Sequence, residues 1–253
     1  TNAAREPEIQ DLQAFLNAMG VNVIGAGTDT ITIEGARRLT PCTHRIIPDR
    51  IVAGTVMVAA AATRGNVTLE NVCPAHLTSV TYVLRRAGVQ IRIGDDIMNV
   101  SCSSRPKPLD RIVTSPYPSF PTDLQAQMMV LLALSDGVSV IKETVFDSRF
   151  KHVDELSRMG ADIRVDLNSA FIRGVPRLYG ATVEATDLRA GAALVIAGLA
   201  AHGTTVVEQI HHIDRGYDRI ETMFSRLGAK IERVTQVDEG SFAKSRAAAP
   251  HIT

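Results

Sequence analysis

Three apolar segments of the sequence are each preceded by an aspartate, and arginines follow two of these aspartates. The runs are Pro48-Asp49-Arg50, Pro121-Thr122-Asp123 and Thr186-Asp187-Leu188-Arg189. An aspartate directly before a helix commonly caps its N-terminus, and that is the ordinary interpretation of any one of them. Capping does not explain Arg50 and Arg189, because a cation at the positive end of a helix dipole is unfavourable unless an anion or a carboxylate compensates it. Several helix N-termini that converge with arginines are suited to bind phosphate.

Arginine also recurs in loops that precede polar helices. Arg5, Arg149 and Arg215 stand at matching places in three such loops, whereas the fourth has Cys73-Pro74-Ala75-His76. A single loop arginine is usually part of a surface salt bridge. Because the arginine recurs, a shared ligand is favoured instead. The residues by themselves therefore predict a protein that binds a multiply anionic small molecule.

The elements that must position these side chains recur along the chain. Four amphipathic helices end at glycines 68, 72 and 68 residues apart, each followed by an alternating strand: Gly20, Gly88, Gly160 and Gly228. Three apolar helices, which end near Gly65, Gly137 and Gly203, interleave with them. Their apolar character on nearly every face predicts that they are buried. A full repeat thus predicts a helix, a strand, a second helix and a two-stranded hairpin.

This period predicts an α/β fold of repeated units around a pseudo-threefold axis, with buried helices inside and sheets outside. A repeat of about 70 residues is too long for the common solenoids, whose repeats run to roughly 20–50 residues. We expect residues 1–43 to be a partial repeat that ends a first lobe, residues 44–235 to form three complete repeats, and residues 236–253 to be a disordered tail. The absence of Met and of a leading strand at Thr1 suggests a piece of a longer chain.

Composition excludes several classes of function. Lys+Arg 27 balances Asp+Glu 27, which argues against non-specific nucleic-acid binding and membrane-surface attachment. No apolar run is long enough to span a bilayer. Three cysteines without a CxxC pair predict neither a disulfide framework nor a zinc site, and they favour a reducing cytoplasm. His211-His212 lacks a partner at metal-ligand spacing, and Gly25-Ala26-Gly27 lies in a hairpin, so neither a metal nor a nucleotide cofactor is expected.

Six motifs in order resemble the UDP-N-acetylglucosamine 1-carboxyvinyltransferases, a family of enolpyruvyl transferases, from about residue 1 to 235. The motifs are NAAREPE at 2–8, PDR at 48–50, FPTDLQAQ at 120–127, ETVF at 143–146, ATDLR at 185–189 and HIDRGY at 212–217. The resemblance implies an inside-out α/β barrel of two lobes, each with three repeated units. It also implies transfer of the enolpyruvyl group of phosphoenolpyruvate to the 3-hydroxyl of UDP-N-acetylglucosamine, with release of phosphate, in the bacterial cytoplasm.

Carried over by motif, the resemblance assigns roles to individual residues. Asp123 resembles the general base that holds the 3-hydroxyl, and Val145 with Phe146 resembles the sugar-nucleotide contact. Arg189 and Arg215 resemble the arginines that bind phosphoenolpyruvate. The remaining substrate-binding candidates are Arg149, which is nearby, Arg50, which lies where the lobes hinge, and Glu6. These types suit the chemistry, because a carboxylate can deprotonate an alcohol and guanidiniums bind carboxylate and phosphate in a bidentate manner.

The sequence lacks the family's first-lobe parts, which are a Lys-Asn pair and a mobile loop with a Cys or Asp and a further Arg. Such a loop contains none of the three cysteines, which are Cys42, Cys73 and Cys102. We therefore expect this chain alone to be inactive and its partner to be the missing N-terminal lobe of the same protein. The alternatives are a non-catalytic binding or regulatory relative and an enolpyruvyl transferase with another acceptor, such as shikimate phosphate.

Overall fold

The structure is a computed structural model that describes residues 1–147 and 149–234. Its helices are α1 (Pro7–Ala18), α2 (Arg50–Ala62), α3 (Thr78–Arg86), α4 (Gln125–Ala133), α5 (His152–Arg158), α6 (Leu188–Ala200), α7 (His211–Asp214) and α8 (Ile220–Arg226). Its strands are β1 (Asn22–Ile24), β2 (Thr32–Glu34), β3 (Asn66–Glu70), β4 (Gln90–Ile93), β5 (Ile97–Ser101), β6 (Ile112–Val113), β7 (Val138–Lys142), β8 (Asp162–Asp166), β9 (Ser169–Arg173), β10 (Thr182–Glu184) and β11 (Val206–Glu208). Short 3₁₀ turns, Pro74–Leu77 and Thr122–Leu124, precede α3 and α4.

The three apolar helices α2, α4 and α6 form the core. Each of them contacts the other two, as three units around a common axis require. All nine residues of α4 are buried, including Gln125 and Gln127. The sequence-based prediction of buried inner helices is confirmed. Burial of leucine and methionine side chains on these helices contributes about 1.5–3 kcal/mol each.

Each inner helix lies against the strands of its own repeat. Helix α2 contacts β3 and β5, α4 contacts β7 and β9, and α6 contacts β11. The predicted hairpins are present as the antiparallel pairs β1–β2, β4–β5 and β8–β9. The sheets stay separate, with strand orders β3-β5-β4, β6-β7-β9-β8, β1-β2 and β10-β11, and none closes on itself in the part of the chain described. The fold is thus the expected α/β arrangement of helices inside and sheets outside.

Two short strands lie outside the predicted repeat. Strand β6 pairs in parallel with β7, and β10 pairs in parallel with β11. Strand β6 precedes the inner helix α4 and pairs with β7, which follows that helix. Strand β10 precedes α6 and pairs with β11 in the same way, so each pair of strands and its helix form a crossover unit. With two and three residues, they are too short for their alternation to be recognised in the sequence.

The prediction of a strand after Gly228 is wrong, because residues 229–234 do not form a strand. In the other copies, the equivalent strand pairs with the returning strand of its hairpin. No strand within residues 1–147 and 149–234 pairs with 229–234. Without a partner, the backbone N–H and C=O groups of a strand have nothing in a sheet to bind.

The four helix-end glycines have the predicted conformation. Gly20, Gly88, Gly160 and Gly228 have φ values of +97°, +91°, +89° and +93°. A side chain is disfavoured at such positive φ angles, and glycine reverses the chain there without that cost. The repeat signature is therefore a backbone requirement that recurs in each copy.

The chain divides into two compact units, Thr1–Asp218 and a second unit that begins at Arg219. Within the second unit, α8 is followed by the turn at Gly228, and Arg233 Nη2 donates to Glu221 Oε2 at 3.1 Å. The predicted tail at 236–253 lies outside the described residues. No helix in the described part of the chain is long and apolar enough to cross a membrane.

Candidate active site

Asp123 is held between two arginines that come from different repeats. Its Oδ1 accepts a hydrogen bond from Arg189 Nε at 3.1 Å and one from Arg149 Nη2 at 3.4 Å. All three side chains are partly exposed. Among the described residues, Asp123 Oδ2 accepts no hydrogen bond, and the Asp123 side chain is 32% exposed. The structure thus brings together three of the predicted site residues.

The two aspartates at equivalent places behave differently. Asp49 accepts hydrogen bonds from the backbone N–H groups of Ile51 and Val52, and Asp187 accepts from those of Arg189 and Ala190. Both are N-caps, as the ordinary interpretation predicted. Asp123 makes no capping hydrogen bond, because the 3₁₀ turn Thr122–Leu124 intervenes before α4. Its carboxylate is therefore available for other chemistry.

A buried carboxylate fixes the position of Arg149. Glu143 is 1% exposed, and its Oε2 accepts a hydrogen bond from Thr122 Oγ1 at 2.9 Å. Thr122 Oγ1 in turn accepts from Arg149 Nη1 at 2.6 Å. Glu143 Oε1 accepts from Thr114 Oγ1 at 2.7 Å. These donors compensate the cost of burying the carboxylate, and the chain of bonds holds the guanidinium beside Asp123.

The adjacent loop carries the predicted sugar-nucleotide contact. The backbone N–H groups of Val145 and Phe146 donate to Glu143 Oε1 at 2.8 and 3.1 Å. The Arg149 guanidinium lies 4.4 Å from the centroid of the Phe146 ring, which is cation–π geometry. Both apolar side chains remain exposed. An apolar pair next to an arginine offers a surface on which a ring could lie.

A buried histidine lies behind the arginines. His152, at the start of α5, is 2% exposed, and its Nε2 has no hydrogen-bond partner within the described residues. Burial lowers the pKa of His152 from 6.5 to about 4, with the nearby Asp187 carboxylate opposing the shift and the Arg149 guanidinium adding to it. The imidazole is therefore neutral at physiological pH and adds no charge to the group.

Arg50 pairs with a different carboxylate from Asp123. Arg50 Nε donates to Glu8 Oε1 at 2.9 Å, and its guanidinium lies 5.5 Å from the centroid of the Tyr117 ring. The carboxylate that the sequence argument required at this helix N-terminus is thus Glu8, from 42 residues upstream. Burial lowers the pKa of His76 next to this pair, with Glu8 opposing and Arg50 adding to the effect. Glu6 Oε2 is buried without a hydrogen-bond partner in the described part of the chain.

The loop arginines do not behave alike. Arg149 is in the Asp123 group, whereas Arg5 makes only a long contact, 3.9 Å, with the exposed Asp29. Arg215 is exposed and has no ion pair among the residues that the structure describes. The surface interpretation therefore fits Arg5, whereas Arg149 pairs with the Asp123 carboxylate, and its binding of a ligand stays a prediction.

Sequence reasoning missed Thr114, Thr122, Glu143 and His152. Thr122 and Glu143 lie within motifs that it quoted, but their side chains were given no role. The parallel pairing of β6 with β7 brings Thr114 beside Glu143, and no signal in the sequence indicated it because β6 has only two residues. His152 had no signal, since its neutrality depends on burial. Within residues 1–147 and 149–234, no group of His, Cys, Asp or Glu is arranged to hold a metal ion.

Comparison with known proteins agrees with this architecture. The family model for EPSP synthase (3-phosphoshikimate 1-carboxyvinyltransferase) matches residues 1–233. UDP-N-acetylglucosamine 1-carboxyvinyltransferase 2 of Caldanaerobacter subterraneus subsp. tengcongensis is 53% identical over 92% of this chain and 56% of its own length. UDP-N-acetylglucosamine 1-carboxyvinyltransferase 1 of Carboxydothermus hydrogenoformans is 57% identical over 92% of this chain and 55% of its own length. The chain spans about half the length of the curated relatives it matches.

Solved structures show the same fold. The enolpyruvyl transferase NikO from Streptomyces tendae superposes with a TM-score of 0.79 at 28% identity, covering 91% of this chain and 55% of that protein. An EPSP synthase from Acinetobacter baumannii superposes with a TM-score of 0.67 at 21% identity, over 88% of this chain and 55% of that one, and shows the fold alone. With the family model matching nearly all of the described residues, the chain belongs to the EPSP synthase family of carboxyvinyltransferases.

Proposed function

We propose that this chain is part of a UDP-N-acetylglucosamine 1-carboxyvinyltransferase of the bacterial cytoplasm. The complete protein transfers the enolpyruvyl group of phosphoenolpyruvate to the 3-hydroxyl of UDP-N-acetylglucosamine and releases phosphate. This reaction is the first committed step of peptidoglycan synthesis, and so serves cell-wall biogenesis, cell shape and division. The described residues supply one side of the active site, and a preceding lobe of the same protein supplies the other.

The observation that carries this proposal is the position of Asp123. Of the three aspartates that precede inner helices, it alone leaves its helix uncapped and lies between two guanidiniums. A carboxylate with one oxygen anchored to arginines and one oxygen open can accept the proton of a bound alcohol. The same guanidiniums can bind a phosphate or carboxylate group brought alongside.

The proposed chemistry assigns each group a role. Asp123 removes the proton of the 3-hydroxyl as its oxygen forms a bond to C2 of phosphoenolpyruvate. An acid supplied by the missing lobe adds a proton to C3. Loss of a proton from C3 and cleavage of the bond between C2 and the phosphate oxygen then restore the double bond and release phosphate.

The other predicted residues bind and position the substrates. Arg189 and Arg215 hold the phosphoenolpyruvate, and Val145 with Phe146 supports the sugar nucleotide. Arg149 fixes Asp123, while Glu6 and Arg50 lie at the junction between the lobes.

Similarity to the curated relatives favours UDP-N-acetylglucosamine as the acceptor. Relatives with that name are 52–58% identical to the chain. The superposed EPSP synthase is 21% identical. The same similarity favours an enzyme over a non-catalytic relative, because the described site keeps both the carboxylate and its arginines.

Exposed apolar residues support a missing lobe. Leu12, Ile24 and Ile33 in the first 43 residues are all exposed, with Ile33 at 64%. The curated relatives are nearly twice as long as the matched region. We propose that the rest of the protein covers this surface, and that the 253-residue chain by itself releases no phosphate from the two substrates.

The test is Asp123→Asn in the complete protein. The amide can still hydrogen-bond the 3-hydroxyl but cannot take its proton, so kcat should fall by about 10²–10⁴-fold while KM changes far less. The measurement is phosphate release at varied concentrations of both substrates. Asp136→Asn is the matched control, because Asp136 also binds an arginine, Arg105 at 3.0 Å, but is exposed and outside the site.

Two results would contradict the proposal. If the complete wild-type protein releases no phosphate when both substrates are present, the assigned reaction is wrong. If Asp123→Asn keeps the wild-type kcat, the reaction stands but the assigned base is wrong.

A further inference from the structure

Tyr217 ties a loop of the last repeat to two inner helices. Its side chain is 2% exposed, and its hydroxyl lies 2.8 Å from Thr55 Oγ1 on α2 and 3.5 Å from Gln127 Nε2 on α4. Thr55 Oγ1 donates its proton to the Ile51 carbonyl at 2.8 Å. The hydroxyl of Tyr217 is therefore the donor in its bond to Thr55. A buried hydroxyl is unfavourable unless it is hydrogen-bonded, so this bond selects one position for the residue.

The residues before Tyr217 are seated on the first turns of α6. The Tyr217 N–H donates to the Ile213 carbonyl at 3.0 Å, so the tyrosine and α7 form one continuous turn. A Cβ on Gly191 would lie 2.5 Å from Ile213 Cγ1, and a Cβ on Gly216 would lie 2.7 Å from Leu188 Cδ2. Such close approach leaves little freedom for the loop to slide along α6.

Arg215 lies between these two anchors but has none of its own. Its side chain is exposed and forms no ion pair in the described part of the chain. Its backbone is fixed on one side by the packing of Ile213 on Gly191 and on the other by Tyr217. The same first turn of α6 carries Arg189, which binds Asp123.

We propose that Tyr217 is a positioning residue that sets Arg215 relative to Arg189 for binding of phosphoenolpyruvate. The inference rests on the proposed function for the identity of the ligand. Tyr217 is 2% exposed, so its side chain acts through the loop that it anchors. An arginine whose backbone is already fixed loses less freedom when it binds an anion, and the anion is bound more tightly as a result.

The test is Tyr217→Phe in the complete protein, with kcat and both KM values measured separately. Phenylalanine fills the same space, and Gln127 Nε2 still donates to Thr55 Oγ1 at 3.2 Å, so the variant should fold. Because a single hydrogen bond contributes modestly, KM for phosphoenolpyruvate should rise about three- to tenfold, with kcat and KM for UDP-N-acetylglucosamine changed by less than about twofold. In an Arg215→Ala background, Tyr217→Phe should raise that KM no further.

Matched variants separate positioning from general stability. Thr55→Val removes the hydroxyl that accepts from Tyr217 and should raise KM for phosphoenolpyruvate in the same way. Thr55→Ser keeps a hydroxyl at this position and should leave that KM at the wild-type value. Tyr179→Phe makes the same chemical change at a tyrosine that is 54% exposed and should leave all three constants unchanged. Hydrogen exchange of the Gly216 and Tyr217 amides should quicken in Tyr217→Phe.

Each outcome bears on the proposal. Equal increases in both KM values with a lower melting temperature would show that Tyr217 is only structural and would overturn it. Unchanged amide exchange would overturn it as well, even if the wild-type protein had no transferase activity. A protein without that activity would instead refute the proposed function, while the exchange measurement would still decide whether Tyr217 anchors the loop.

Discussion

The N-terminal segment, residues 1–43, and the repeat core, residues 50–218, follow the same local pattern but differ in burial. Helix α1 has 12 residues, of which only Pro7 is buried. Helix α2 has 13 residues, and all except Val52 are buried. The hairpin β1–β2 likewise leaves Ile24 and Ile33 exposed, whereas both Ala170 and Ile172 of β9 are fully buried.

The difference shows that a helix and a hairpin can form from local signals while their burial requires a partner. The N-terminal segment has the amphipathic helix, the helix-end glycine and the hairpin of a repeat. It has no inner helix of its own in this chain. Its apolar side chains therefore stay at the surface, which is where we propose that a preceding lobe makes contact.

Replacing one leucine in each region should give the largest contrast in stability. Leu132→Ala in α4, where the leucine is fully buried, should lower the free energy of unfolding by about 2–5 kcal/mol. Leu12→Ala in α1, where the leucine is 50% exposed, should change it by less than about 0.5 kcal/mol in the 253-residue chain, since a surface substitution removes few contacts. Urea denaturation of each variant measures both values.

The same pair sharpens the comparison in the complete protein. If the missing lobe covers α1, Leu12→Ala should become clearly destabilising there, while the cost of Leu132→Ala should stay similar. An unchanged, near-zero effect of Leu12→Ala in the complete protein would mean that this face of α1 remains in water.

Replacing one loop arginine in each region should affect ligand binding in the repeat core and only stability in the N-terminal segment. If Arg215 binds phosphoenolpyruvate as we propose, Arg215→Ala in the complete protein should weaken that binding about ten- to hundredfold, because it removes a charge-assisted hydrogen bond to the anion. Arg5→Ala removes only the long contact with Asp29 and should cost less than about 1 kcal/mol of stability. Isothermal titration together with a thermal melt measures both effects.

Arg215→Lys refines this experiment, because lysine keeps the charge but loses the planar fork that binds an oxyanion in a bidentate manner. An intermediate affinity is expected. Wild-type affinity in Arg215→Ala, together with a lower melting temperature, would make Arg215 a structural residue.

A further expected effect concerns pH and is confined to the repeat core. Burial lowers the pKa of His152 to about 4 from 6.5, so the unfolded chain binds a proton that the folded chain does not bind between these values. The free energy of unfolding is therefore unaffected by His152 above about pH 6.5, and it decreases as the pH falls toward 4. At pH 5, the loss should be roughly 2 kcal/mol relative to pH 7.5.

His152→Gln does not titrate in this range and should show a correspondingly smaller fall in unfolding free energy between pH 7.5 and pH 5. His211→Gln, at an exposed histidine, serves as the matched control and should keep the wild-type pH dependence. An identical pH dependence in wild type and His152→Gln would mean that the folded protein accommodates the charged imidazole.

Local chemistry accounts for what the sequence by itself determined. Helix-end glycines such as Gly88 need a positive φ, and the apolar run of α4 has no polar face to leave in water. Both requirements involve residues close together in the chain, so the repeats, the buried helices and the hairpins could be predicted from spacing alone. The strand expected after Gly228 failed because strand formation depends on a partner.

Only the tertiary structure decided what the charged residues do. Asp49, Asp123 and Asp187 have similar surroundings in the sequence, yet two cap their helices and Asp123 instead binds Arg149 and Arg189. The partners of Asp123 lie 26 and 66 residues away along the chain. An ion pair and a burial-shifted pKa depend on distance in space and on exclusion of water, and neither quantity is encoded in the spacing of residues along the chain.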